Sequence, residues 1–213
     1  MAKGASLTMA KLPSESRYEP FCPFPGIINW LMMASRPKLE LVPSAAKPLA
    51  GSPPDFDSLF ERHAGYVARV AARMLGRDDA DVDDVVQEVF FTTLPRLDRI
   101  HSEEAARPWL MAVTVRTVHR VLRRRKWRRL LLGESRTDEI PATGVTAEQS
   151  ALLVCIYRTL DEIEPRSRIA WVLRYVEGER LEDVADACRC SLATAKRRIA
   201  AAQARLMEVL RDD

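Results

Sequence analysis

Lys196, Arg197 and Arg198 form a short basic run whose neighbours Ala193, Thr194 and Ala201 are all small. Cationic groups beside small side chains suit contact with phosphates and base edges, because bulk would hold the backbone away from a DNA groove. Periodicity places them on a helix: Leu192, Ala195, Ile199, Ala202 and Leu206 recur at three- and four-residue spacing and share one inward face. Ala193, Thr194, Arg197 and Ala201 point the opposite way. Ser191 is a good N-cap just before the helix, leaving its first N–H groups near any phosphate. Upstream, residues 181–188 read as a shorter helix with Ala185 small where the second helix would cross it. The segment 181–206 thus predicts a helix-turn-helix that reads DNA through Ser191, Ala193, Thr194, Lys196, Arg197 and Arg198. A surface helix hairpin with a solvated basic face is the plainer alternative for this segment taken alone.

Two further surfaces are predicted upstream. In DVDDVVQEVFFTTL, Val82, Val85, Val86 and Val89 form one stripe, while Asp84, Gln87, Glu88 and Phe91 lie opposite. An exposed Phe bordered by carboxylates makes a poor solvent face and a good protein-binding one; the bland alternative packs Phe91 under a neighbouring helix. Asp79, Asp81 and Asp83 imitate the start of a calcium loop, but Asp84 stands where Gly is required and Phe90 where the bidentate Glu belongs, which excludes calcium. In PWLMAVTVRTVHRVLRRRKW, Met111, Val115, Val118 and Leu122 face inward. Arg116, Arg120, Arg123, Arg124 and Trp127 face out together, guanidiniums interleaved with an aromatic ring, as nucleic-acid binding requires. Arginines near a helix end also answer its dipole, but six basic residues from 123 to 129 exceed that need.

The elements that must carry these surfaces are helical. Gly is scarce and strand-like alternation is absent, so the fold class is all-α: two small helical domains joined by a flexible linker, the second containing the helix-turn-helix. Residues 1–54 hold nine of the thirteen prolines and predict a disordered or loosely attached extension; a true start at Met32 or Met33 would remove most of it. Its apolar run at 27–34 is far shorter than the ~20 residues of a membrane span, and flanking prolines argue against a signal peptide. The first block, 55–127, predicts helices at 56–75, 82–97 and 105–127, with Gly76 ending the first. Residues 128–146 read as the linker. The second block, 147–213, predicts helices at 147–163, 166–176, 181–188 and 192–210, with Pro165 and Gly178 bounding the second.

The net charge is only +3, but nine Lys or Arg and no acid fall in 107–129, against six acids in 77–88. Such polarity predicts a protein partner as well as a nucleic acid. Cys22, Cys155, Cys188 and Cys190 have no CxxC or paired His spacing; no metal or cofactor is expected, and the cysteines fit a reducing cytoplasm. Three histidines, no Gly-rich phosphate loop and no nucleophile elbow argue against an enzyme.

The order of these parts resembles a bacterial sigma factor of the sigma-70 family, in its short extracytoplasmic-function group. DVDDVVQEVF (81–90), RPWLMAV (107–113) and EPRSRIAWVLRYVEGERLEDVADACRCSLATAKRRIAAAQARL (164–206) carry the resemblance. It implies that residues 55–127 are a region-2-like domain and 147–213 a region-4-like one. Asp84, Gln87 and Glu88, with Phe91 beside them, would dock on the clamp of the largest RNA polymerase subunit. The basic helix, with the loop 98–106, would hold the unpaired strand of the −10 element. The linker would follow the RNA exit path. The last domain would sit on the flap of the second-largest subunit and read the −35 element, and an anti-sigma factor would restrain the whole. Two departures stand out: Arg116 and Arg120 occupy places where the family usually has Asn and Asp, and Arg189 occupies the turn position customary for Gly, where positive φ is expected. A stand-alone helix-turn-helix regulator is the other reading of the same chain.

Overall fold

The computed structural model describes residues 55–76, 79–132 and 147–212, all helices and connecting turns with no strand among them. The first three helices are α1 (Phe56–Leu75), α2 (Asp79–Thr93) and α3 (Glu103–Leu132), with a 3₁₀ segment, Leu94–Arg99, between the last two. Then come α4 (Ala147–Glu162), α5 (Pro165–Trp171) running into a π turn (Val172–Val176), α6 (Leu181–Ala187) and α7 (Leu192–Asp212). Residues 1–54 and 133–146, which include the proline-rich extension and most of the expected linker, lie outside the described residues.

Local chemistry explains the boundaries. Helix α1 ends where Gly76 takes φ 77° and its N–H returns to the Ala72 carbonyl, a left-handed stop that costs Gly nothing. Helix α2 was expected to run to 97 but stops at Thr93, because Pro95 lacks the N–H that would continue the ladder. Helix α3 begins at Glu103, whose carboxylate and that of Glu104 suit a helix N-terminus. It continues to Leu132, five residues past the expected end, since nothing between Trp127 and Leu132 breaks a helix. The start of α5 is fixed by Pro165 and by the Glu164 carboxylate, which accepts the Ser167 N–H at 3.0 Å.

Helices α1, α2 and α3 pack on one another; α5 packs against α7, with α4 and α6 completing the second block. The apolar stripes read from sequence are buried: Val82, Val85, Val86 and Val89 on α2, and Met111, Val115, Val118 and Leu122 on α3. In the second block Ile156, Leu160, Ile169, Val172, Leu173 and Val176 are buried, and Ile163 is partly covered. The blocks share one continuous core, because α3 also packs against α5 and α6.

The C-terminus of α1 is where the blocks are bolted together. The last carbonyls of a helix lack intrahelical donors, and here two arginines supply them. Arg125 of α3 donates to the Leu75 carbonyl at 2.9 Å, and Arg168 of α5 donates from Nε to the Met74 carbonyl at 2.7 Å. Arg168 is 1 % exposed and also pairs with Asp161. One residue earlier on α1, Arg73 meets Glu177 at 2.7 Å, both side chains buried. Glu177 is placed by the π turn before it, its N–H bonding the Val172 carbonyl, with Gly178 at φ 70° behind it. Arg107 joins the same seam, 3.0 Å from Glu179 and 4.8 Å above the Tyr66 ring. Burial is the main cause that pushes the Glu179 carboxyl above its ordinary range; Asp183 and Glu177 add to it, and Arg107 opposes.

Candidate nucleic-acid interface

The helix-turn-helix forms where the sequence placed it. Helix α6 closes with Arg189 at φ 48°; the Arg189 N–H bonds the Asp186 carbonyl at 3.0 Å and the Cys190 N–H bonds the Ala185 carbonyl at 2.9 Å. This pair of bonds is a Schellman ending, which favours Gly at the left-handed position. Arg there costs on the order of 1 kcal/mol. Ser191 then caps α7, its Oγ accepting the Thr194 N–H at 3.2 Å and lying 2.9 Å from the Thr194 hydroxyl. Ala195, Ile199, Ala202 and Leu206 are buried, and Gln203 accepts from the Trp171 indole at 2.6 Å, which fixes α7 against α5.

The outward face of α7 is open. Ala193, Lys196, Arg197 and Ala201 are exposed, while Thr194 and Arg198 are half-buried. Leu192 departs from the expected inward stripe at 40 % exposure. It shares the rotation of that face, but the neighbouring helices begin to cover α7 only a turn later, at Ala195. Arg198 is turned from the outward face toward α3, where it lines a cavity with Arg116.

On α2, Asp84 and Gln87 are exposed and Phe91 is 72 % exposed, whereas its neighbour Phe90 is 2 % exposed and packed edge-on against Phe60, ring centres 4.8 Å apart. Leu94, three residues beyond Phe91 and also exposed, extends the apolar patch; the i, i+3 spacing from Phe91 was the available signal for it. Glu88 is half-exposed and pairs with Arg120. Asp81 takes Arg125 at 2.6 Å, with Arg124 at 3.4 Å.

The five residues expected to face out together from α3 are therefore divided. Arg120 and Arg124 reach across to carboxylates of α2. Exposed Arg123 and Trp127 border a hollow whose far wall is Glu164, Pro165 and Arg166. Arg116 is turned into the cleft beneath the helix-turn-helix. Their common helical face is real, but it is wide enough for three different neighbours to claim parts of it. Burial first, then Arg189 and Arg96, push the Arg116 guanidinium below its ordinary range. Burial also leads the lowering of His119; Arg166, Arg123 and Arg198 add to it and Glu164 opposes, so the imidazole is neutral near pH 7. Arg166 and Arg189 were not among the expected site residues; Arg189 was singled out only for its turn position, and only folding brings the two to α3. Among the described residues no group of three or more His, Cys, Asp or Glu is placed to hold a metal ion, and no helix is long and apolar enough to cross a membrane.

Comparison with known proteins agrees with this architecture. Residues 59–128 match the family model of sigma-70 region 2, and residues 153–206 match that of sigma-70 region 4. The RNA polymerase sigma factor NccH of Alcaligenes xylosoxydans xylosoxydans is 30% identical over 161 residues, covering 73% of this chain and 86% of that protein. The ECF RNA polymerase sigma factor SigM of Mycobacterium tuberculosis is 29% identical over 162 residues, 76% of this chain and 80% of the other. Among solved structures, CnrH in complex with the cytosolic domain of CnrY superposes with a TM-score of 0.53 at 27% identity, over 74% of this chain and 88% of that one. The chain belongs to the sigma-70 family of RNA polymerase sigma factors, in the extracytoplasmic-function group.

Proposed function

We propose that this chain is a promoter-specificity subunit: it binds core RNA polymerase, directs it to −10 and −35 promoter elements and helps to melt the DNA. The observation that carries this reading is the succession, in one chain, of a region 2 match at 59–128 and a region 4 match at 153–206, the second containing a capped reading helix with an open basic face. Residues 55–127 act as the polymerase-docking and strand-capturing domain, 128–146 as the connection and 147–213 as the −35 reader. Asp84, Gln87 and Glu88 meet the clamp, with Phe91 as apolar anchor; exposure of Asp84, Gln87 and Phe91 supports this. Arg120, Arg123, Arg124 and Trp127 are the exposed members of the strand-capturing set; of these, Arg120 and Arg124 must leave Glu88 and Asp81, and half-buried Arg116 its cleft, to join it. Ser191, Ala193, Thr194, Lys196, Arg197 and Arg198 serve the upstream element, and the last domain rests on the flap of the second-largest subunit.

The role is non-catalytic and cytoplasmic, where the polymerase is, and it calls for no cofactor. A protein of the anti-sigma kind restrains it, as suits a relative of CnrH, which was solved bound to part of CnrY. Purified chain added to core polymerase should start transcription at a defined promoter; failure both to bind core and to redirect initiation would overturn the reading. A stand-alone regulator would instead bind its site tightly without polymerase and tolerate charge reversal at Asp84 and Glu88. The region 2 match leaves that alternative without support.

A further inference from the structure

The cleft between α3 and the helix-turn-helix contains a cavity of about 230 Å³ whose polar lining is cationic. Arg116 and His119 enter from α3, Arg166 from the first turn of α5, Arg189 from the turn after α6 and Arg198 from α7. Ile169 contributes to an apolar floor, and no carboxylate lines the space. Among the described residues none of the four guanidiniums makes an ion pair or hydrogen bond, in contrast to Arg73, Arg120, Arg124, Arg125 and Arg168 nearby. Glu164 lines the adjoining hollow and spends its carboxylate on the Ser167 N–H. Guanidiniums cannot shed their charge as a lysine does, so four like charges from four separate elements face one space.

We propose that this cavity binds a small phosphoryl anion of the pyrophosphate type, and that the anion steadies the two domains in the packed arrangement. Planar guanidinium forks match phosphate oxygens two at a time, and four of them suit an anion with several oxygens on two centres better than one carboxylate. The volume is below that of pockets for drug-sized ligands, which favours the anion itself or the end of a phosphate chain over a whole aromatic ligand. His119 can donate a ring N–H to the same anion. The inference concerns the free protein and does not depend on its role at promoters.

The test is calorimetric titration of the full chain with sodium pyrophosphate at 0.15 M salt, with inorganic phosphate and a random-sequence DNA duplex as separate arms. Saturable one-to-one binding of pyrophosphate is expected, tighter than that of phosphate. Arg166→Gln combined with Arg189→Gly should weaken it at least tenfold, while Arg211→Gln, at the end of α7, should leave it unchanged. Arg189→Gly alone removes one of the charges at a position whose φ favours Gly, so a weakening there with the Tm unchanged or raised is not a folding defect. If pyrophosphate fails to saturate, or only the duplex binds, or all variants bind equally, the site is refuted.

Discussion

Arg189 is the residue at which local preference and the observed structure disagree most sharply. Its φ of 48° is imposed by the two Schellman bonds that close α6 and by the Ser191 cap that opens α7 two residues later. Arg189→Gly should therefore stabilise the chain by about 1 kcal/mol, seen as a rise in Tm of roughly 2–4 °C for a protein of this size; an unchanged or lower Tm would mean that the arginine side chain contributes more than its backbone costs. Cys188, just before it, gives a second prediction. Burial pushes its thiol up to about 12, so at pH 8 it should alkylate far more slowly in the native protein than in urea, as peptide mapping after iodoacetamide would show. A folded pKa above the unfolded one also means that the unfolded chain loses this proton first. The stability that Cys188 contributes is then complete below about pH 9 and declines as the pH rises from there toward 12. Cys188→Ala should flatten that alkaline decline in urea midpoints, and an equally steep decline would assign it to other groups.

Among the helices, what was legible in the sequence follows from what each side chain meets within its own element. The cap at Ser191, the left-handed Gly76, the entry at Pro165 and the four-valine stripe of α2 are settled within a few residues, and each is found where its spacing places it. The face of α3 was not legible in the same way, because Arg120, Arg124 and Arg116 answer to Glu88, Asp81 and the helix-turn-helix cleft, partners 32 or more positions away. Buried Arg168 was hidden for the same reason: an arginine reads as solvent-facing until a helix end that lacks donors is brought to it. This division sharpens a salt-dependence prediction. Arg123 is free to release counterions on binding DNA phosphate, whereas Arg124 must first leave Asp81. Arg123→Ala should lower the slope of log affinity against log salt by about 0.7, the single-strand value per phosphate, and adding Arg124→Ala should lower it by less again; an unchanged slope in Arg123→Ala would remove that residue from phosphate contact. On α7, Arg197→Ala should cost about 1–3 kcal/mol of discrimination at the −35 element with binding to core unaltered, measured by promoter competition and by core pull-down. Equal loss of both would contradict the division of labour between the two domains.

For the molecule as a whole, the packed arrangement and the proposed function pull in opposite directions. Arg116 and Arg198 line one cavity, whereas readers of two separate promoter elements must stand at least one helical turn of DNA apart, about 34 Å. Under the proposed function, engagement of a promoter on polymerase then requires the blocks to part along the seam at the end of α1. The buried Arg73–Glu177 pair lies in that seam, and removing one partner of such a pair commonly costs about 3–5 kcal/mol because the other charge is left without its counterpart. Glu177→Ala should accordingly loosen the seam, with a larger radius of gyration by small-angle scattering. If polymerase accepts only the parted form, its apparent affinity is the intrinsic one reduced by the fraction already open, so the same variant should bind core more tightly, by up to about two to three orders of magnitude if the whole of that cost falls on the seam. Glu177→Gln, which keeps a hydrogen-bond acceptor beside Arg73, should fall between the two. A variant that expands in solution yet binds core no better would show that polymerase itself drives the blocks apart at no measurable cost, and would remove the seam as a brake on assembly.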